Sequence, residues 1–241
     1  MIVSEEGGRH RPEPTRIVVV VPVCNEEQLL PRCLRALRRS ADAVAIPVRI
    51  QLVLNGCTDG SARVAGPDIE VVTLDEPNVG MARGLGFAAA GAGCGRETWF
   101  ATTDADSAVD QWWLRRQLRH ARRGADIVAG VVRVDDWSAS TPVARARYEQ
   151  RYRRPRGDGH GHVHGANLGF RADIYWDAGG FDALATGEDV DLVERATARG
   201  AHLVWAEDVV VTTSGRTEGR APDGFAAHVR ALDQVSEADS A

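Results

Sequence analysis

An alternation of short β-branched runs with amphipathic stretches constrains this chain most. Ile17 to Val21 reads as a strand, and Glu26 to Ser40 follows with Leu29, Leu30, Cys33, Leu34 and Leu37 at helical spacing. Ile50 to Leu54, Ile69 to Leu74, Thr98 to Thr102 and Ile127 to Val132 read as further strands. Helical stretches separate them at Asp59 to Ala65, Val79 to Ala92 and Val109 to Arg123. Such an order calls for an α/β fold: a mainly parallel central sheet with helices on both faces. The pattern then breaks. Ser138 to Arg153 reads as a helix, Arg154 to Gly161 as a mobile loop, and Glu188 to Arg199 as a helix ended by Gly200. Leu203 to Trp205 and Val209 to Thr213 read as strands, and Pro222 to Gln234 as a closing helix.

The 241 residues suit one domain, expected over 15–225 between a polar N-terminal segment (1–14) and a C-terminal helix and fraying tail (226–241). The 29 basic residues are all arginine, with no lysine. That excludes a Schiff-base lysine, a phosphate loop ending in Gly-Lys-Ser/Thr and a kinase-type strand lysine. A net charge of −5 argues against bulk-charge binding of nucleic acid. The longest apolar run, Ile17 to Val23, contains Pro22 and is far short of the roughly 20 residues of a membrane span. Cys24, Cys33, Cys57 and Cys94 form no close pair, which suits buried thiols in a reducing, cytoplasmic compartment.

In an open α/β sheet the ligand lies beyond the carboxyl ends of the strands. Polar clusters stand there: Cys24-Asn25-Glu26-Glu27, Asn55-Gly56-Cys57-Thr58-Asp59-Gly60, and Asp104-Ala105-Asp106. Two carboxylates two residues apart at a strand end can hold a divalent cation, and oxygen ligands favour Mg2+ or Mn2+. Alone, Asp-x-Asp is a weak signal.

Its neighbours add weight. Val21-Pro22-Val23-Cys24-Asn25-Glu26-Glu27, Gly56-Cys57-Thr58-Asp59-Gly60-Ser61 and Asn78-Val79-Gly80-Met81-Ala82-Arg83-Gly84 precede the Asp-x-Asp. His164-Gly165-Ala166-Asn167-Leu168-Gly169-Phe170-Arg171, Gly179-Gly180-Phe181-Asp182 and Gly187-Glu188-Asp189-Val190-Asp191-Leu192 follow it. In this order the blocks resemble the family 2 glycosyltransferases, which have the GT-A fold.

The resemblance covers about Thr15 to Phe225. It implies inverting, metal-dependent transfer of a single sugar from a nucleoside-diphosphate donor to an acceptor hydroxyl. By position, Pro22, Asn25, Glu26, Asn55, Asp59, Gly80 and Arg83 fall on the donor. Asp104 and Asp106 fall on Mn2+ or Mg2+, with Asp104 also near the ribose. Asp189 falls on the general base, with Glu188 or Asp191 as substitutes, and the His164-Gly165-Ala166-Asn167 block on the acceptor. Leu54-Asn55 replaces an acidic pair of many relatives, which leaves the donor base, uracil or guanine, open. No Gln-x-x-Arg-Trp follows Asp189, which favours non-processive addition. A metal-binding histidine of some relatives is missing from Thr212-Thr213-Ser214, and Arg216 and Arg220 are the candidates to cover the diphosphate instead. A sugar nucleotidyltransferase and a non-catalytic nucleotide-sugar module are the alternatives.

The bland readings compete at several positions. Asp189 also suits a helix start, and Asn25 or Glu26 a helix cap. His160, His162 and His164 alternate, and a polar Gly-rich loop explains them better than a metal site. Arg145, Arg147, Arg151, Arg153, Arg154 and Arg156, interleaved with Tyr148 and Tyr152, suit a solvated helix face or a lip for an anionic or lipid-linked acceptor at a membrane's inner surface. Trp112-Trp113 reads as core with one ring free to face solvent. Gly91-Ala92-Gly93-Cys94-Gly95 ends a helix rather than opening one, so it is no dinucleotide fingerprint.

Overall fold

A computed structural model describes residues 11–138, 140–153 and 159–216, with the side chains of 151–153 left aside. Arg220, the helix expected over 222–234 and most of the loop expected over 154–161 lie outside the described residues. Strands β1 (Arg16–Val23), β2 (Val48–Asn55), β3 (Glu70–Leu74) and β4 (Thr98–Thr102) are linked by α1 (Leu30–Asp42), the single turn α2 (Ser61–Val64) and α3 (Val79–Gly91). Then come β5 (Ser107–Val109), α4 (Trp113–Arg122), β6 (Ile127–Val134) and α5 (Pro142–Arg153). A 3-10 turn (Gly165–Asn167), β7 (Leu168–Arg171), α6 (Ala172–Asp177), α7 (Glu188–Ala198) and β8 (Leu203–Thr213) follow.

The strands join one sheet in the order β3-β2-β1-β4-β7-β6-β8-β5. From β3 to β4 every pairing is parallel, as the alternation requires. Beyond β4 the sheet is mixed: β7 runs antiparallel to β4 and β6, β8 parallel to β6, and β5 antiparallel to β8. Side chains alternate across the pleat. Ile17, Val19, Val21 and Val23 therefore face α1 and α4, where Leu30, Leu34, Leu37, Leu114 and Leu118 pack. Val18 and Val20 face α3, α6 and α7, where Phe87, Tyr175, Leu192 and Ala196 pack with Phe100 and Phe170. Each fully buried Val, Leu or Phe is worth about 1.5–3 kcal/mol, so both faces hold their helices firmly.

Several expected boundaries shift. The helix expected from Glu26 begins at Leu30, after a turn in which the Glu26 carbonyl accepts from the Leu29 and Leu30 N–H groups; Asn25, just before it, takes a left-handed φ of 54° that an asparagine tolerates. The helix expected from Val109 begins at Trp113, and Ser107–Val109 forms an edge strand instead. The two strands expected near Leu203 and Val209 are one strand with a bulge: Gly130 pairs with Ala206 and Val131 with Val210. Asn167 fills that bulge. Its Nδ2 donates to Val131 and Val209 carbonyls at 2.9 Å each, and its Oδ1 accepts from Trp113 Nε1 at 2.8 Å. Only a glycine at 130 leaves room, since a Cβ there would lie 2.3 Å from that Nδ2. Trp113 is thus core, while Trp112 is partly exposed with Arg115 over its ring.

No helix among the described residues is long and apolar enough to cross a membrane. The chain leaves β1 for one side of the sheet and reaches β4 from α3 on the other. The strand order reverses between β1 and β4, and in an open α/β sheet the ligand crevice lies at the carboxyl ends of the strands that flank such a point.

Candidate active site

The first wall of the crevice is a pair of loops after β1 and β2. Asn25 Oδ1 accepts from the backbone N–H of Thr58 at 2.7 Å and of Asp59 at 3.2 Å. Asp59 accepts in turn from the backbones of Ser61 and Glu27, and Glu27 accepts from Gly60 N. Burial works against the Asp59 charge, but these hydrogen bonds outweigh it and hold the carboxyl below its ordinary value. Asn25 and Asp59 therefore lock the loops together, and both remain partly exposed. Glu27, which closes the Cys24–Glu27 cluster in the sequence but carries no role there, is a third member of this lock.

Asn55 and Gly80, expected on the donor, work inside the wall. Asn55 is buried and accepts from Asn78 N at 2.8 Å. Asn78 caps α3 by accepting from Met81 N at 2.9 Å. Gly80 lies against the backbone of residues 182–184, where a Cβ would come within 2.1 Å of the Asp182 carbonyl oxygen. Pro22 is likewise buried within β1.

Asp104 and Asp106 stand at the mouth, beyond the end of β4. The Asp106 side chain is 14% exposed, and its Oδ1 accepts from the hydroxyls of Ser107 and Thr213 at 3.2 and 3.3 Å. Its Oδ2 pairs with Arg216 at 2.9 Å, and the same nitrogen reaches Glu26 Oε1 at 2.5 Å. Burial, together with the charges of Asp104 and Glu26, pushes the Asp106 carboxyl up to about 6 against the pull of Arg216. A centre that crowds carboxylates in this way favours a bound cation. Among the described residues no three His, Cys, Asp or Glu side chains group as a metal site. Asp104 and Asp106 would thus supply two carboxylates and leave the other positions to phosphate oxygens and water, which fits Mg2+ or Mn2+.

Arg83, also expected on the donor, lies beneath the mouth with its side chain 3% exposed. Nη2 donates to Asp104 Oδ1 at 2.6 Å, Nη1 pairs with Glu188 Oε1, and Nε donates to Thr102 Oγ1 at 3.3 Å. Burial opposes its charge, but Asp104, Glu188 and Asp189 outweigh it and hold the group above its ordinary value. Glu188, 6% exposed, is raised by burial despite Arg83, so it is no open base. Asp189 is partly exposed at the start of α7. Its Oδ2 accepts from Gly165 N at 2.5 Å and its Oδ1 from Val190 N at 2.8 Å. One guanidinium therefore joins the Asp-x-Asp side of the mouth to the Glu188-Asp189 side.

The expected acceptor block divides. His164 is partly exposed, Gly165 orients Asp189, Ala166 is buried, and Asn167 belongs to the sheet bulge rather than to any ligand. The three histidines stack with ring centroids 6.0 Å apart, and His160 is held by the Ala129 carbonyl at 3.1 Å and lies edge-on to Trp205. Tyr148 is core: it donates to the Val132 carbonyl at 2.9 Å and packs on Trp137, which removes it from the expected basic lip.

The geometry has relatives. The structure resembles Staphylococcus aureus TarS 1–349 in complex with UDP-GlcNAc, with a TM-score of 0.66 and 14% identity over 86% of this chain and 60% of that one. It also resembles the mannosyltransferase PcManGT of Pyrobaculum calidifontis in complex with GDP-Man and Mn2+, with a TM-score of 0.59 and 17% identity over 95% of this chain and 71% of that one. In sequence it is 28% identical over 206 residues to Glycosyltransferase AglE of Haloferax volcanii, covering 80% of this chain and 65% of that protein. The family model "Glycosyl transferase family 2" matches residues 18–179, which include Asp104 and Asp106 and stop short of Asp189. With a GT-A-like sheet and this match over more than half its length, the chain belongs to glycosyl transferase family 2.

Proposed function

We propose that this chain transfers a single sugar from a nucleoside-diphosphate sugar to an acceptor hydroxyl, with inversion and with a divalent cation bound at Asp104 and Asp106. The observation that carries the reading is Arg83, which bonds Asp104 of the Asp-x-Asp on one side and Glu188, next to Asp189, on the other. UDP-GlcNAc and GDP-mannose, held by the two similar structures, are the donors to try first. The cation, when bound, neutralises charge that grows on the leaving diphosphate.

This chain's own groups do the rest. Asn25 and Asp59 line the nucleotide end. Arg216 turns from Asp106 to the diphosphate oxygens, for which a guanidinium is well shaped. Asp189, held by two backbone N–H groups, takes the proton of the acceptor hydroxyl as that oxygen attacks the anomeric carbon. One displacement by a hydroxyl on the face opposite the leaving group inverts that carbon, and no enzyme nucleophile is needed. His164 lies beside Gly165 on the acceptor's path.

Thermal unfolding with UDP-GlcNAc or GDP-mannose, with and without MnCl2, tests the reading. A donor at about 100 times its Kd should add about 2.7 kcal/mol of stability. Asp189→Asn should keep that gain and lose about a hundredfold or more in turnover. No stabilisation by either donor, or full turnover in Asp189→Asn, overturns the assignment.

A further inference from the structure

We infer that Arg83 is a positioning residue for transfer: it sets the separation between the donor side of the mouth and the base, and touches neither substrate. The inference rests on the reading above, with Asp104 on the donor side and Asp189 as the base. Each donor of the guanidinium has its own acceptor to hold, two at the end of β4 and one on α7. Nη2 holds Asp104 after β4, Nη1 holds Glu188 at the first turn of α7, and Nε holds Thr102 at the end of β4. One face of the group lies 5.7 Å from the Phe181 ring centroid. The Gly165 backbone lies so close that a Cβ there would sit 2.5 Å from Arg83 Cζ. Gly165 is also the residue whose N–H orients Asp189 at 2.5 Å. A shift of the guanidinium therefore moves Asp104, Glu188 and the backbone donor of Asp189 together.

The helix that carries Arg83 is built for this closeness. Gly80 and Gly84 leave room for the 181–184 backbone, where a Cβ would meet the Asp182 oxygen at 2.1 Å and the Phe181 oxygen at 3.3 Å. That backbone leads straight into Gly187, at a left-handed φ of 75°, and so into Glu188. Lysine would keep the charge but has one nitrogen, which cannot hold Glu188, Asp104 and Thr102 in fixed divergent directions. Stability alone is a poor account of the arrangement, since a buried ion pair is often no better than an apolar replacement of its size. Catalysis is more demanding: a misplacement of about 1 Å can cost about a hundredfold in rate.

The test compares Arg83→Lys, Glu188→Gln and the double variant with the parent chain. UDP-GlcNAc and GDP-mannose serve as probes with MnCl2, and water stands in for the acceptor. Release of nucleoside diphosphate gives turnover, and calorimetry gives the donor Kd. Arg83→Lys should lose about a hundredfold in turnover with donor Kd changed by less than about fivefold. Adding Glu188→Gln should cost little more, because the two act as a unit. A loss in donor affinity that matches the loss in rate would make Arg83 a donor contact and overturn the inference, as would effects that multiply. Should Arg83→Lys fail to fold, Glu188→Gln alone decides: it must lose turnover and keep donor affinity. A parent chain that neither binds nor turns over either donor brings down the functional reading, and this inference with it. An active parent beside a fully active Arg83→Lys sinks the inference alone.

Discussion

Two arginines serve the same mouth in different ways. Arg83 lies at the seam of the parallel half, 3% exposed, between Asp104 and Glu188. Arg216 follows the last strand of the mixed half, 27% exposed, between Glu26 and Asp106. Each joins two carboxylates, so the charge pattern is alike and the burial is not. A sealed guanidinium cannot be replaced by water or ligand without opening the core, so it fixes distances. A guanidinium at the rim gives up one partner for another at small cost. Burial, more than charge, is what distinguishes the two arginines.

The largest effect that can break this contrast is on stability. Arg83→Met strands Glu188 in the core and should cost about 3–5 kcal/mol in urea unfolding. Arg216→Met should cost about 1–2 kcal/mol, between the exposed and the sealed cases. Equal losses would erase the distinction. A smaller effect sharpens it. Arg216→Gln should bind Mn2+ roughly tenfold tighter in the absence of donor, measured by electron paramagnetic resonance, because it removes a unit charge at contact distance from Asp106. Unchanged Mn2+ affinity would mean that Arg216 and the metal do not compete there.

The smallest effect concerns a buried group that faces a carbonyl instead of a carboxylate. Burial holds His160 below its ordinary value of 6.5, despite the Ala129 carbonyl and the charge of Glu207. Its Nδ1 accepts from His162 N at 3.1 Å and cannot do so once protonated. The unfolded chain therefore takes up the proton first. The contribution of His160 to stability should be constant above about pH 6.5 and fall as the pH drops below it, opposite in sign to that of the Asp106 carboxyl. The His160→Gln variant should show a shallower fall of the urea midpoint between pH 6.5 and 5, and an identical fall would clear His160 of the role.

The parallel half was legible because its strands are continuous β-branched runs, as in Ile17-Val18-Val19-Val20-Val21, set between helices of clear period. The mixed half was not. β7 is four residues with Gly169 inside it, and β5 is Ser107-Ala108-Val109, too short to show any period. Of the candidate site, the clustering of polar residues at strand ends was legible, and Asp104 and Glu188 do meet there through Arg83. What escaped was the side each polar residue faces. Asn55, Arg83 and Asn167 each pair with partners inside the protein, and a sequence does not separate a polar group that meets a ligand from one that satisfies a buried backbone. Arg83 did leave a clue: it is the lone charge on a helix of glycine, alanine and apolar residues, where a side chain directed to solvent would have charged neighbours. Its contact with Glu188 spans 105 residues, beyond the reach of any local pattern.

Strand β7 runs against β4, so the turn that precedes it arrives at the edge from which the parallel strands depart. Whatever enters the mouth is gripped by chain coming from two directions. The segment from 159 to 164 contributes no rung to the ladders between β1, β2, β3 and β4. The two sides of the mouth are thus built from separate lengths of chain that meet at one edge of the sheet, so a change in the stretch before β7 need not pass through the ladder of the parallel strands.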